Sequence, residues 1–284
     1  MPISKVGVAG CGLMGSGIAE VLARADIDAV VYEIDLDGID RGRHRIESSL
    51  GRAVKTGKLS DNEVDLAVRR LSYTTDLEAM ADCELVIEAI VEDAYEKIAL
   101  FAQLDSVLAN PAAIVASNTS SIPIMKLAMA TSRPEHVIGL HFFNPVPVLR
   151  LVELVTSLLT GDETVTRTRK FAQEQLGKTV IPSPDRAGFV VNALLIPFIL
   201  SAIRMVESGF ASAEDIDLAL VEGCAHPMGP LRLADLIGLD TTKAVSESLY
   251  EEFKEQLFSP PPLLSRMVDA GLFGRKSGHG FYSY

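Results

Sequence analysis

Two polar residues stand out against apolar surroundings: His141, at the end of Val137-Ile138-Gly139-Leu140, and Glu153, inside Leu151-Val152-Glu153-Leu154-Val155. A carboxylate in such a run is costly unless something pairs with it. Paired to the imidazole, it would fix the ring tautomer and stabilise an imidazolium formed during proton transfer. That is the chemistry of a general base acting on a hydroxyl. The spacing equally allows a satisfied core histidine beside an unrelated structural glutamate. Ser117-Asn118-Thr119-Ser120-Ser121 follows the apolar run Ile114–Ala116. Open α/β sheets meet their ligands at strand C-terminal ends, and hydroxyls there can donate to a developing oxyanion. The alternative is an N-cap cluster for a helix starting near Pro123, which accounts for Ser121 but does not require all five residues. Asn192, polar within an apolar helical run, needs a buried partner or a ligand. No serine occupies a G-x-S-x-G elbow, which disfavours a Ser-His-Asp hydrolase.

A second kind of chemistry begins at the N-terminus. Gly10-Cys11-Gly12-Leu13-Met14-Gly15 matches G-x-G-x-x-G between a hydrophobic strand and a helix. In that context the first glycine makes the tight turn and the second lets a pyrophosphate approach the backbone. The third lets helix and strand pack closely, with the helix N-terminus facing the phosphates. The next strand ends at Val31-Tyr32-Glu33, and a carboxylate there accepts from ribose hydroxyls and repels a 2′-phosphate, favouring NAD over NADP. Asp35 is the alternative if the strand runs two residues longer. Flavin uses the same fingerprint, so the motif by itself does not select nicotinamide.

Between residues 41 and 58 stand six basic residues (Arg41, Arg43, Arg45, Arg52, Lys55, Lys58) and one acid, Glu47. A solvated helix face is the common reason for such a run. It also suits a substrate carrying several phosphates, as coenzyme A does.

The elements that must position these groups follow from alternating apolar runs and helical patterns. Strands are expected at Val6–Ala9, Ala29–Tyr32, Leu85–Ala89, Ile114–Ala116, Val137–Leu140, Leu151–Val155 and Thr179–Ile181. Helical patterns cover Met14–Arg24, Ile39–Lys55 and Tyr95–Leu108, and Ser60 with Glu63 forms a capping box. The alternation predicts an α/β Rossmann-type, doubly wound, mostly parallel sheet. Pro182-Ser183-Pro184-Asp185-Arg186 reads as a breaker cluster, after which the pattern is helical. We therefore expect a dinucleotide-binding domain over 1–186 and an all-α domain over 187–284. The formal charge of −12 disfavours nucleic-acid and anionic-membrane partners. Cys11, Cys83 and Cys224 have no disulfide or metal spacing, which predicts a reducing, cytoplasmic setting and no metal centre. The apolar stretch 189–203 is shorter than the roughly 20 residues that span a bilayer.

Taken together, GCGLMGSGIAE, LVIEAIVED, ASNTSSIPI, GLHFFNPVPVLRLVELV, GFVVNALL, HPMGPLRLADLIGLD and GRKSGHGFY resemble the short-chain L-3-hydroxyacyl-CoA dehydrogenases, the 3-hydroxybutyryl-CoA dehydrogenases among them. The resemblance extends over essentially the whole chain. It implies reversible oxidation of a 3-hydroxyacyl-CoA with hydride passing to NAD. It makes His141 the general base, Glu153 its partner, Ser120 a substrate-contacting hydroxyl and Asn192 a holder of the reacting oxygen. It places further nicotinamide-nucleotide contacts on Glu92, Lys97, Asn144 and Lys276, and coenzyme A contacts near Ser49 and Lys55, with Arg52 in the same basic run. It also implies a homodimer through the helical domain. One departure is visible: many members carry Asp where this chain has Glu33, so the charge is kept on a longer arm.

Overall fold

The computed structural model describes residues 2–284, and the chain divides into two compact units, Met1–Asp185 and Arg186–Tyr284. In the first unit, β1 (Lys5–Ala9), β2 (Asp28–Tyr32), β3 (Leu71–Thr74), β4 (Leu85–Glu88), β5 (Ile114–Ser117), β6 (Val137–Phe142), β7 (Leu151–Thr156) and β8 (Thr179–Pro184) form one sheet. Its order is β3-β2-β1-β4-β5-β6-β7-β8. All neighbours are parallel except β6 and β7, which run antiparallel. Helices α1 (Leu13–Arg24), α2 (Leu36–Lys55), α3 (Asp61–Arg69), α4 (Ala94–Val107), α5 (Ile124–Ala128) and α6 (Asp162–Lys170) complete this unit. The central strands are mostly apolar because both faces are covered. Val6, Val8, Leu85, Ile87, Ile114, Ile138 and Leu154 are all fully buried.

The sheet departs from the sequence reading in three places. The edge strand β3 is short, and none of its residues is buried, so it lacks the apolar run that marks the other strands. Strand β6 continues through His141 to Phe142 instead of ending at Leu140. Strand β8 runs through both prolines of the supposed breaker. Prolines are tolerated there because β8 is an edge strand, where a missing ladder donor faces no partner. The capping box of Ser60 and Glu63 forms in full at α3.

In the second unit α7 (Val191–Glu207), α8 (Ala213–Cys224), α9 (Pro230–Ile237), α10 (Leu239–Phe253) and α11 (Pro262–Asp269) enclose their own core of Ile196, Ile199, Leu200, Ile203, Leu231, Leu249 and Leu264. Two buried aspartates tie it together. Asp217 accepts from the Leu231 and Arg232 backbone N–H groups at 2.8 and 2.9 Å, and from the Tyr282 hydroxyl at 2.8 Å. Asp235 accepts from the Phe281 and Tyr282 backbone at 3.0 and 2.9 Å and from the Tyr284 hydroxyl at 3.2 Å. The glycines of the terminal GRKSGHGFY block serve this hook. A Cβ on Gly280 would stand 2.1 Å from an Asp235 carboxylate oxygen, and one on Gly274 would stand 2.3 Å from the Asp235 carbonyl oxygen.

Asp235 is 1 % exposed and receives donors on both oxygens, so an amide in its place turns an N–H toward a donor. Asp235→Asn should cost roughly 2–3 kcal/mol of stability in urea denaturation, the range for lost hydrogen bonds to a charged group. A loss below about 0.5 kcal/mol, the usual size of a surface effect, would show that the hook contributes little.

Candidate active site

The direction of strand order reverses between β1 and β4, and a crevice opens there at the strand C-terminal ends, where open α/β sheets place ligands. Gly10 follows β1 with φ +101°, and its N–H donates to the Tyr32 carbonyl at 2.9 Å. A Cβ on Gly10 would stand 2.5 Å from the Ala89 carbonyl oxygen, and one on Gly15 would stand 1.9 Å from the Gly10 carbonyl oxygen. Both glycines are therefore required by the protein itself. Gly12 differs: a Cβ there would meet no protein atom within 4 Å. It is the N-cap of α1, has no side chain capping the helix, and is followed by no acidic residue in the first turn. Open space before uncapped backbone donors is an anion site, so the loop fits a dinucleotide pyrophosphate.

A cleft of about 750 Å³ runs from this loop in two directions. On one side lie Tyr32, Glu33 and Ile34. Glu33 turns one oxygen to the Cys11 backbone N–H at 2.8 Å and the other to that of Ile34 at 2.9 Å. The longer glutamate folds over Gly38, where a Cβ would come within 2.4 Å of its Cγ. Asp35 is excluded as the alternative, because β2 ends at Tyr32 and the Asp35 side chain caps α2 through the Gly38 N–H at 2.6 Å. Cys11 is buried, and burial pushes its thiol up to about 11.

On the other side lie Ala89, Ile90, Glu92, Lys97 and Asn118. Lys97 is 1 % exposed and its ammonium bridges Glu88 at 2.5 Å and Glu92 at 3.0 Å. The serine-rich segment wraps the Glu92 carboxylate: the hydroxyl of Thr119 donates to it, as do that of Ser121 at 3.0 Å and the Ser120 backbone N–H at 3.1 Å. Burial would raise the Glu92 carboxyl. The Lys97 ammonium and the donors from Thr119, Lys97 and Ser121 outweigh it and hold the group below the usual glutamate range. Ser121 is thus no helix cap. The first N–H groups of α5, on Ile124 and Met125, are instead capped by the Asp185 carboxylate at 2.7 and 2.8 Å, a partner sixty residues away that local reading does not find.

His141 and Glu153 face each other across the antiparallel β6–β7 register, with imidazole Nδ1 2.7 Å from the carboxylate. Glu153 is fully buried. The Phe143 ring lies 4.5 Å from the imidazole, centroid to centroid. Asn118 links the two regions, its side-chain oxygen accepting from the Phe142 N–H at 2.9 Å.

A smaller groove of about 230 Å³ lies between α1, α2 and the turn after β6, lined among others by Glu20, His44, Arg45, Ser49, Arg52 and Asn144. Helix α2 buries Ile39, Gly42, Ile46 and Leu50, and the residues at 44–45, 48–49 and 52 share a different face. The basic run divides accordingly. Arg45 and Arg52 line the groove, Arg43 stacks on Tyr73 at 4.8 Å, and Lys55 lies exposed at the end of α2, outside the lining residues. Behind the same turn, buried Lys178 donates to the Val146 and Leu149 carbonyls at 2.6 and 2.8 Å. Burial first, then Arg24 and Arg150, pull its ammonium below the usual lysine range.

The remaining candidates belong to the second unit. Asn192 is the second residue of α7 and half-buried, and Lys276 is ion-paired with Asp240. Sequence reasoning missed Glu88 and Lys178. The signal for Glu88 was available, since it interrupts the apolar run Leu85-Val86-Ile87 just as Glu153 interrupts its own.

Residues 5–186 match the family model described as 3-hydroxyacyl-CoA dehydrogenase, NAD binding domain, and residues 188–284 match that of the C-terminal domain. A 3-hydroxybutyryl-CoA dehydrogenase of Mycobacterium tuberculosis is 58% identical over 282 residues, covering 99% of both chains. The crystal structure of M. tuberculosis FadB2 is similar with a TM-score of 0.99 at 58% identity over the whole of both chains. That of (S)-3-hydroxybutyryl-CoA dehydrogenase PaaH1 from Ralstonia eutropha gives a TM-score of 0.94 at 42% identity over 99% of each.

The glycine geometry separates folding from binding. Gly12→Ala should leave urea stability within about 1 kcal/mol of the parent, the usual scale of an N-cap change, yet raise the NADH Kd at least tenfold. Gly15→Ala should lower stability by several kcal/mol, about 3 or more, because its Cβ has nowhere to go. If Gly12→Ala binds NADH normally, the phosphates lie elsewhere.

Proposed function

The chain belongs to the 3-hydroxyacyl-CoA dehydrogenase family, and from that premise we propose that it interconverts (3S)-3-hydroxybutyryl-CoA, or a close 3-hydroxyacyl-CoA, with the 3-oxoacyl-CoA. The observation that carries this reading is the imidazole of His141 held by a fully buried carboxylate at 2.7 Å. Bound NAD supplies the hydride acceptor. His141 takes the substrate hydroxyl proton at Nε2, because Nδ1 is committed to Glu153. The Glu153 carboxylate sets that tautomer and stabilises the imidazolium once the proton has arrived. Ser120 and Asn192 hold the reacting oxygen. Glu92, Lys97, Asn144 and Lys276 contact the nicotinamide nucleotide, and Glu33 selects NAD by repelling a 2′-phosphate.

The coenzyme A moiety is assigned to the groove between α1 and α2, with Ser49, Arg45 and Arg52 toward its phosphates. The 3-hydroxybutyryl-CoA dehydrogenases among the relatives support the short acyl chain. Fatty-acid or butyrate metabolism is the corresponding setting. Among the described residues no helix is long and apolar enough to cross a membrane. A homodimer through the second unit is part of the proposal, supported by the exposed side chains of Leu194, Phe210 and Leu218.

The reading is tested by NADH oxidation with acetoacetyl-CoA beside acetoacetate and longer 3-oxoacyl-CoAs. Strong preference for acetoacetyl-CoA is expected, and equal turnover of free acetoacetate would refute the coenzyme A assignment. His141→Gln should lower kcat at least a thousandfold with the NADH Kd within twofold of the parent. Glu153→Gln should be damaging but less so, since the imidazole remains. A His141→Gln enzyme keeping a tenth of kcat would remove that residue from the base role.

Replacing Arg52 with alanine should raise KM for acetoacetyl-CoA several-fold and leave kcat and the NADH KM near the parent. The increase should shrink with added salt, because an exposed charge pair contributes roughly 0–1 kcal/mol and is screened. Lys55→Ala should have the smaller effect of the two. A larger effect at Lys55 would move the phosphates to the far end of α2.

A further inference from the structure

Glu88 ends β4 at the point where the strand order reverses, and it is fully buried. Both its oxygens are occupied, and each partner is a donor: the Ile90 N–H at 2.8 Å and the Lys97 ammonium at 2.5 Å on one, the Ser117 hydroxyl at 2.5 Å on the other. That arrangement suits an ionised carboxylate, which only accepts. The Lys97 ammonium is shared with the Glu92 carboxylate at 3.0 Å. The cluster therefore contains two anions and one cation. Its net charge is −1.

The side of the cleft on which this charge lies follows from the rest of the site. Glu33 marks the adenosine side, on β2, and the open Gly12 turn marks the pyrophosphate. The other half of the dinucleotide then runs past the ends of β4 and β5, where Lys97, Glu92 and Asn118 line the cleft. The nicotinamide ring is a cation in NAD⁺ and neutral in NADH. A fixed negative charge nearby acts on the first and hardly on the second.

We propose that Glu88 is a positioning and charge-setting residue of the cofactor site: through Lys97 and Glu92 it places a net negative charge on the nicotinamide side and favours the oxidised cofactor. This rests on the placement of Lys97 and Glu92 against the nicotinamide nucleotide. Glu88 reaches the cofactor only through the groups it holds. Without its charge, Lys97 and Glu92 cancel and the bias disappears. Glu88 and Lys97 are buried, so added salt screens their charges little.

The test compares dissociation constants of the purified enzyme for NAD⁺, NADH and ADP-ribose, which lacks the nicotinamide, without turnover. Glu88→Gln keeps the size of the side chain and an acceptor for Lys97, and changes only the charge. It should raise the NAD⁺ Kd about threefold or more, because a unit charge acting on a cation is removed. The NADH and ADP-ribose values should stay within twofold. Glu92→Gln, at the accessible rim of the cleft, removes the same unit of charge with little risk to folding and should raise the NAD⁺ to NADH ratio in the same direction. Ser117→Ala removes a hydrogen bond but no charge and should leave the ratio unchanged. Equal weakening of NAD⁺ and NADH by Glu88→Gln, with ADP-ribose unaffected, would reduce Glu88 to a structural role and overturn the proposal. A parallel change in ADP-ribose binding would instead show that the cluster does not face the nicotinamide half, and the underlying placement would fall with it. If Glu88→Gln does not fold, an unchanged ratio in Glu92→Gln alone overturns the charge argument.

Discussion

A carboxylate can stay ionised inside a sheet only where a donor is held against it, and the antiparallel entry of β7 beside β6 supplies that condition. Side chains alternate along a strand, so a slip of one residue would turn Glu153 to the opposite face and leave it unpaired. An uncompensated buried charge costs several kcal/mol, about 3–5 in measured cases. The register that sets His141 opposite Glu153 is thereby enforced by the same pair to which the proposed chemistry is assigned. Strand β6 ends one residue after His141, which places the imidazole at the strand end where the Asn118 side chain ties β5 to the Phe142 backbone.

The same rule organises the other buried charges, each with a different partner type. Lys97 lies between two carboxylates, Asp217 and Asp235 receive backbone N–H groups and tyrosine hydroxyls, and Lys178 has backbone carbonyls. The polar contacts join separate elements: β4 to α4, α8 to α9, α9 to the C-terminal block, and the start of β8 to the turn after β6. Apolar packing is non-directional and by itself discriminates weakly among arrangements of these segments. A satisfied charge accepts one. These contacts therefore specify geometry more than they add stability.

Much of this was legible in the chain because each layer of the first unit announces itself locally. The Gly10–Gly15 turn, the apolar runs of β1, β4, β5, β6 and β7 and the capping box at Ser60 each sit within a few consecutive residues. Where one short-range rule competes with a long-range fact, local reading errs. Pro182 and Pro184 read as a break, but an edge position makes them harmless in β8. A cap was the alternative reading of Ser121, but Asp185 takes that task from sixty residues away, and the serine donates to Glu92. The edge strand β3 carries too little buried apolar area to be seen. Glu88 was the avoidable omission, since a lone acid in an apolar strand was the very signal read at Glu153.

The contrast among the three motif glycines reaches furthest toward function. Gly10 and Gly15 are explained entirely by the protein, since a methyl at either would overlap a backbone carbonyl. Their presence says only that a strand, a turn and a helix pack closely. Gly12 has no such explanation, because the space its side chain would fill is empty of protein. At the turn of a dinucleotide motif, a glycine whose smallness serves no neighbour in its own chain leaves room for a ligand. At an uncapped helix N-terminus that ligand is an anion. The dinucleotide can thus be argued from the one glycine of the motif that the fold does not need.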